Sequence, residues 1–418
     1  MWMKMKRLIA AGTALSVLSA CVASTQPQQN ALPTDGGQVS MPALDQLEPV
    51  EVNSTPELDV NYRPKVTTDE GGWWMKMDRY EESLQTHASL VRDEDLNAYV
   101  RGVLCRLAKD YCKDIRVYVV RKPGFNASMA PNGLMEVRTG LLLRVENEAQ
   151  LATVLGHELA HYYKLHSIKN WRTQRNTLDA MAFLTLGTGI IGLGATIIAL
   201  GGLSSYSRSN EAEADAVGLV LMDQAGYDPA EAAMLWGKVK REYAASKDAD
   251  MRNSFFASHP EAQQREKTLD NHARWLKRNG PEREIAQAPL RQRLAPYLQS
   301  FLEDELAQGD FGALEVVLHD MEEAGRAPVL VAYFKGELYR KRGDEGDLEK
   351  ARDSYLAAEE YAKERDVDAP SGLYRALGLI SLKEGEQERA RMNFEQYLQL
   401  APDAHDAAFI RQMLEQIS

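Results

Sequence analysis

The sequence predicts an α+β chain, mostly helical, in which a domain carrying a small sheet is followed by an all-α domain of helical repeats. Three observations predict it. β-rich runs are confined to Ile115–Arg144, apolar residues recur at helical spacing on both sides of them, and Arg293 to Ser418 repeats a pattern of small and aromatic residues. A length of 418 residues exceeds one ordinary domain, and a hydrophobic content of 44% is enough to build a core. The formal net charge of -12 argues against nucleic acid and anionic membrane surfaces as partners, because both need a basic face.

Residues 1–20 read as a secretory signal. Lys4, Lys6 and Arg7 form a positive start, Leu8 to Leu18 an apolar run too short to span a bilayer, and "LSAC" closes it. "LSAC" resembles a bacterial lipobox, which implies cleavage before Cys21 and lipidation of that cysteine; the alternative is an ordinary signal cut nearby. A lipidated Cys21 would anchor the chain to a membrane. Val22 follows where an Asp would resemble an inner-membrane retention signal, so the expected location is the periplasm, on the outer membrane. Removing Lys4, Lys6 and Arg7 leaves a mature charge of about -15. Residues 21–65 are rich in Gln, Pro, Thr, Asn and Gly and read as a disordered tether reaching about 35 Å.

Residues 66–280 form the expected first domain. Trp73 to Lys109 is helical, and "IRVYVV" at Ile115–Val120 is a strand. Cys105 and Cys112 are about 10.5 Å apart along one uninterrupted helix, too far to bridge, so they pair only if the helix ends between them. The strand that follows at once says it does, and an oxidising compartment favours the disulfide over free buried thiols. A second β-rich stretch, "NASMAPNGLMEVRTGLLLR" at Asn126–Arg144, turns at Pro131-Asn132-Gly133 and reads as a hairpin. Asn147 offers an N-cap with Gln150 three residues on, and a helix runs through "GHELAHYYKLH". Ala180 to Ser207 is uncharged and long enough to cross a membrane. One crossing would separate His157 from the acidic motif near Glu211, so the segment is expected as a buried or re-entrant helical element, with membrane dipping kept open. Gly226 ends one helix and Asp228-Pro229 starts the next.

Residues 290–418 form the second domain. "LYRALGLISLKEGEQERARMNFEQYLQLAP" matches the tetratricopeptide pattern at Tyr374, Leu377, Gly378, Ala390, Phe394 and Pro402. A degenerate copy precedes it at Gly336, Tyr339, Ala351 and Tyr355; the alternative is a generic array of helical hairpins. Such arrays leave a concave groove suited to a protein partner.

The chemistry lies in two helical motifs. His157 and His161 are four apart, about 40° round a helix, so their imidazoles can share one zinc. Glu158 sits about 100° away, beside the metal, where a base for water is needed. A catalytic zinc wants three protein ligands and an open position, and "SNEAEADAVG" supplies a third. Glu211 can bind while Asp215, one turn on, accepts a hydrogen bond from a ligand histidine. Glu213 is the rival ligand on the opposite side of that helix. His166, half a turn out of phase with His157, reads as structural.

"HELAH", then "NEAEADAVG", then "SHPEAQQR" resemble the zinc metallopeptidases related to the CAAX prenyl endopeptidases, of the HExxH plus ExxxD type with a zincin-like domain. Within them, the chain looks most like periplasmic members that act in β-barrel assembly and join this domain to tetratricopeptide repeats. The resemblance implies one zinc per chain on His157, His161 and Glu211, with Glu158 as base and Asp215 behind a ligand. It implies that His259 stabilises the oxyanion or caps the zinc, and that Arg265 is an active-site arginine. It also implies that the strand at Met135–Thr139 accepts substrate as an added strand. The expected activity is an endopeptidase acting on unfolded or assembling envelope proteins. The alternative is a lipid-anchored adaptor or chaperone with a capped or vestigial zinc site. An integral-membrane prenyl protease is disfavoured because only one long apolar segment exists.

Overall fold

Short polar side chains start the helices that frame the site. Thr68 accepts from Gly71 N to begin α1 (Asp69–Thr86), and Asp93 accepts from Leu96 N to begin α2 (Glu94–Ala108). The computed structural model describes residues 52–172, 206–247, 259, 262–278 and 281–417. The secretory segment, Cys21, the tether up to residue 51 and the apolar run up to Ser205 lie outside these residues. Among the described residues no helix is long and apolar enough to cross a membrane.

Lys109, at φ 49, turns the chain out of α2 into a 3-10 turn over Lys109–Lys113. That turn brings Cys105 and Cys112 to a Cα separation of 4.8 Å, and they form a disulfide. β1 (Arg116–Val120) follows, then the hairpin of β2 (Ala127–Met129) and β3 (Leu134–Arg138). Gly133 in its turn has φ +83, and a Cβ there would meet Asp114 O at 2.2 Å, so glycine is required twice over. β1 joins β3 in parallel, Val117 opposite Met135, which gives the order β1-β3-β2.

Three sequence expectations are corrected here. β3 is the central strand, paired on both sides, so Met135–Thr139 cannot take up an added strand. The second β-rich stretch ends at Arg138; Thr139–Arg144 is α3, because "GLLLR" carries no β-branched residue and all three leucines are wholly buried. The tether is shorter than expected: Glu57 N donates to Tyr163 O, Leu58 is 5% exposed, and Val52 and Tyr62 pack against the same core.

α4 (Glu148–Tyr163) starts where Asn147 accepts from Gln150 N, and every residue in it is buried. Beside it lies α5 (Arg208–Gln224). The two backbones touch at a glycine pair: a Cβ on Gly156 would sit 3.3 Å from Gly218 O, and one on Gly218 would sit 3.1 Å from His157 N. That close approach brings the two helical motifs together. α6 (Ala230–Ala245) and α7 (Ala262–Lys277) complete the surroundings.

The C-terminal helices are α8 (Gln287–Leu294), α9 (Leu298–Gln308), α10 (Phe311–Glu323), α11 (Pro328–Arg342), α12 (Asp347–Arg365), α13 (Ser371–Lys383), α14 (Gln387–Leu400) and α15 (Ala407–Gln416). The expected break between residues 280 and 290 is not a break in the core, since one apolar cluster runs from Leu58 through Leu290, Leu302 and Leu318 to Leu338. A buried ion triad crosses the same boundary: Arg144 of α3 donates to Glu242 of α6 and to Glu305 of α9. Separate small cores begin only around Tyr355 and Phe394. There Gly336 and Gly378 lie beneath the rings, where a Cβ would meet Tyr355 at 2.4 Å and Phe394 at 2.5 Å.

Candidate metal centre

α4 and α5 present their polar side chains to one buried point. His157 and His161 are 2% and 1% exposed, Glu211 and His259 both 2%. One ligand atom from each of the four lies within 4.8 Å of the others. His157 Nε2 is 3.0 Å from His161 Nε2, 3.2 Å from His259 Nδ1 and 3.5 Å from Glu211 Oε2. His161 Nε2 is 3.4 Å from Glu211 Oε1, and His259 Nδ1 is 3.0 Å from the same oxygen. Bonds of 2.0–2.1 Å arranged tetrahedrally place ligand atoms about 3.3–3.4 Å apart, so the spacing suits one zinc ion.

Hydrogen bonds behind the donors aim their lone pairs inward. His157 Nδ1 faces Asp215 Oδ1 at 3.0 Å, which leaves Nε2 bare. Burial pushes His161 well below its ordinary pKa, and the charges of its neighbours His157 and His259 add to this. Burial likewise lowers His166. Neutral His166 donates its one proton from Nε2 to Glu213 Oε2 at 3.2 Å and accepts at Nδ1 from His161 Nδ1 at 2.9 Å. His161 Nε2 is therefore a free lone pair. Converging lone pairs and a carboxylate repel one another, and a cation is the chemistry that reconciles them.

Glu211 resists the upward push of burial, because His259, His161 and His157 hold its carboxyl well below the usual carboxylate range. His259 is opposed by burial, yet the carboxylates of Glu211 and Glu158 push it up to about 9. Asp215 is also lowered against its burial, chiefly by Arg265.

Glu158 is 2% exposed and adjoins the donor cluster. Its Oε1 is 3.4 Å from His259 Nε2 without hydrogen-bond geometry, and it has no hydrogen-bond partner among the described residues. A buried carboxylate oxygen with a free lone pair is what a proton acceptor needs.

Arg265 lies in the site, behind the donors. Nε and Nη2 grip Asp215 at 2.8 and 2.5 Å, Nη1 reaches Glu211 Oε2 at 2.9 Å, and the guanidinium lies 4.2 Å over the Trp236 ring. All three nitrogens are committed behind the donors, so Arg265 positions carboxylates and does not face substrate. Glu213, the rival ligand, is half exposed and belongs to His166 and Lys164. Sequence reasoning missed Tyr206, whose buried ring stacks on His161 at 3.8 Å and whose hydroxyl meets Ser167 Oγ at 2.8 Å. It also missed the His166–Glu213 support, whose only sequence signal is the shared turn of their motifs.

Residues 90–273 match the model of peptidase family M48. The chain is 27% identical over 226 residues to the putative β-barrel assembly-enhancing protease of Vibrio cholerae, covering 50% of this chain and 46% of that one. It is 31% identical over 236 residues to the mitochondrial metalloendopeptidase OMA1 of Schizosaccharomyces pombe, covering 55% and 67%. It is 25% identical over 166 residues to the β-barrel assembly-enhancing protease of Escherichia coli, covering 36% and 34%. The match thus spans less than half of each bacterial relative. The matched region contains both helical motifs, the four converging donors and Glu158, and the chain belongs to peptidase family M48.

Proposed function

We propose that the chain is a zinc-dependent endopeptidase of the bacterial cell envelope that acts on unfolded or assembling envelope proteins. The observation that carries the reading is the convergence of one ligand atom each from His157, His161, Glu211 and His259 within 4.8 Å, with the buried Glu158 Oε1 beside them. A zinc ion held by these donors supplies a Lewis acid that polarises a peptide carbonyl and lowers the pKa of water to about 7. Glu158 takes a proton from the attacking water and returns it to the leaving amine. Asp215 and His166 hold the imidazoles in register, and Arg265 holds Asp215 and Glu211.

His259 stands in the fourth position, the one a substrate needs. It caps the resting site and must withdraw before cleavage. Of the strand edges, the outer edge of β2 has no paired strand among the described residues, whereas β1 is bridged to Leu90 and accepts from Val91 N. Substrate backbone added at β2 is read with little regard to sequence, which suits unfolded chains.

Relatives named for β-barrel assembly support an envelope setting, as does the N-terminal secretory pattern; lipidation of Cys21 would hold the enzyme on the periplasmic side of the outer membrane. The paired helices α11–α14, with an aromatic ring over each glycine, fit tetratricopeptide-type repeats whose groove takes a protein partner. The His259 cap favours one second reading, an anchored adaptor that does not cut. Incubating the zinc-loaded full chain with an unfolded protein separates the two. The protease reading expects cleavage that Glu158→Gln abolishes with zinc retained; the adaptor reading expects none, even from His259→Ala.

A further inference from the structure

Arg326 sits in the four-residue link, Ala324 to Ala327, between α10 and α11, after Gly325 at φ +61 and before Pro328 opens α11. It is 4% exposed. Its Nη1 donates to Leu143 O at 2.6 Å and Val145 O at 3.1 Å, the carbonyls through which α3 leads into the active-site helix α4. Its Nε and Nη2 are buried and have no hydrogen-bond partner among the described residues.

That edge is the one arginines elsewhere in this protein use for carboxylates. Nε and Nη2 of Arg116 grip Glu81, those of Arg121 grip Asp304, and those of Arg342 grip Asp347. Among the described residues no carboxylate forms a hydrogen bond or ion pair with Arg326. Glu146, which attracts it, is already paired with Lys238. Instead a second cation approaches: Arg291 of α8 donates Nη2 to Ala324 O at 3.0 Å, and its own Nε is buried and unpartnered. Burial first, and the charge of Arg291 second, push the Arg326 guanidinium down to about 10. Buried cations with three unused donors call for a counter-charge.

We propose that the Nε–Nη2 edge of Arg326, with Arg291 Nε, binds a small bidentate oxyanion, a carboxylate or phosphate group, that braces the C-terminal helices against the α3–α4 link. Planar guanidinium edges recognise both groups through two parallel hydrogen bonds. An occupied site adds one ligand to the hydrogen bonds by which Arg326 already holds residues 143–145 and Arg291 holds Ala324.

The test is thermal unfolding of the full chain titrated with inorganic phosphate or acetate, against chloride at matched ionic strength. The site predicts a saturable rise in midpoint of roughly 2–5 °C. Arg326→Met removes the saturable part but keeps any linear rise from general salt exclusion. A phosphate response assigns a phosphoryl ligand and an acetate response a carboxylate; either supports the site. Should Arg326→Met fail to fold, Arg291→Met must weaken the apparent affinity at least severalfold. An identical, non-saturating rise in wild type and Arg326→Met, or an unchanged affinity in Arg291→Met, overturns the proposal and leaves water on that edge.

Discussion

His166 Nδ1 lies 2.9 Å from His161 Nδ1, and the far side of the same ring meets Glu213 Oε2 at 3.2 Å. The relay fixes the His161 tautomer and rotation. His166→Ala is expected to weaken zinc affinity about 10- to 100-fold, the usual scale for losing such a support. Competition with a chromophoric chelator measures it. An unchanged affinity, with normal unfolding of the metal-free protein, would show that His166 only fills space.

His259 Nδ1 lies 3.2 Å from His157 Nε2 and 3.0 Å from Glu211 Oε1, and the proposed function makes it a cap on the site. His259→Ala is expected to raise basal cleavage of an unfolded substrate severalfold while zinc remains on the other three ligands. Initial rates at saturating substrate give the answer. A fall in rate would assign His259 to the oxyanion instead of the cap.

Arg144 holds two buried carboxylates, Glu242 and Glu305, from opposite sides of the expected domain boundary. Arg144→Met strands both of them and is expected to lower stability by about 3–5 kcal/mol in denaturant titrations. The triple variant Arg144→Met, Glu242→Gln, Glu305→Gln should recover part of that loss. Equal losses in the single and triple variants would mean that packing, and not charge, joins the two halves.

Glu81 of α1 accepts from Arg116 Nε and Nη2, each at 2.6 Å, and from the Tyr118 hydroxyl at 2.8 Å. Burial raises its carboxyl, but these donors outweigh it and the net shift is downward from 4.5. A depressed folded value contributes stability above the unfolded pKa that is lost as pH falls through the folded one. The stability gap between wild type and Glu81→Gln is therefore expected to be constant above pH 4.5 and to close below it. Melting curves from pH 3 to 7 in roughly half-unit steps measure the gap; one that does not change with pH would contradict the assignment.

Much of the site was legible because its residues obey local rules. Helical periodicity paired His157 with His161 and Glu211 with Asp215, and the Asn147 cap located the helix. The Cys105–Cys112 pairing followed from a helix end that the strand at Ile115 announces. What escaped depends on partners distant in the chain. β3 looks like an exposed hairpin strand until β1, eighteen residues earlier in register, pairs along its other side. Arg265 carries no sign of the two carboxylates and the indole that immobilise it. Composition marks residues 52–65 as tether, since the few apolar side chains that dock them, Val52, Leu58 and Tyr62, show no periodicity. The continuous core through Leu338 is invisible for a similar reason: a helix facing its own domain and one facing a neighbouring domain show the same apolar stripe.

The most direct test of the metal centre is zinc-edge X-ray absorption on the full chain purified without chelators. One zinc per chain with four nitrogen or oxygen neighbours at about 2.0–2.1 Å is the predicted result, with one fewer imidazole in His259→Ala. Absence of zinc, or a spectrum unaltered by replacing both His161 and Glu211, would contradict the account.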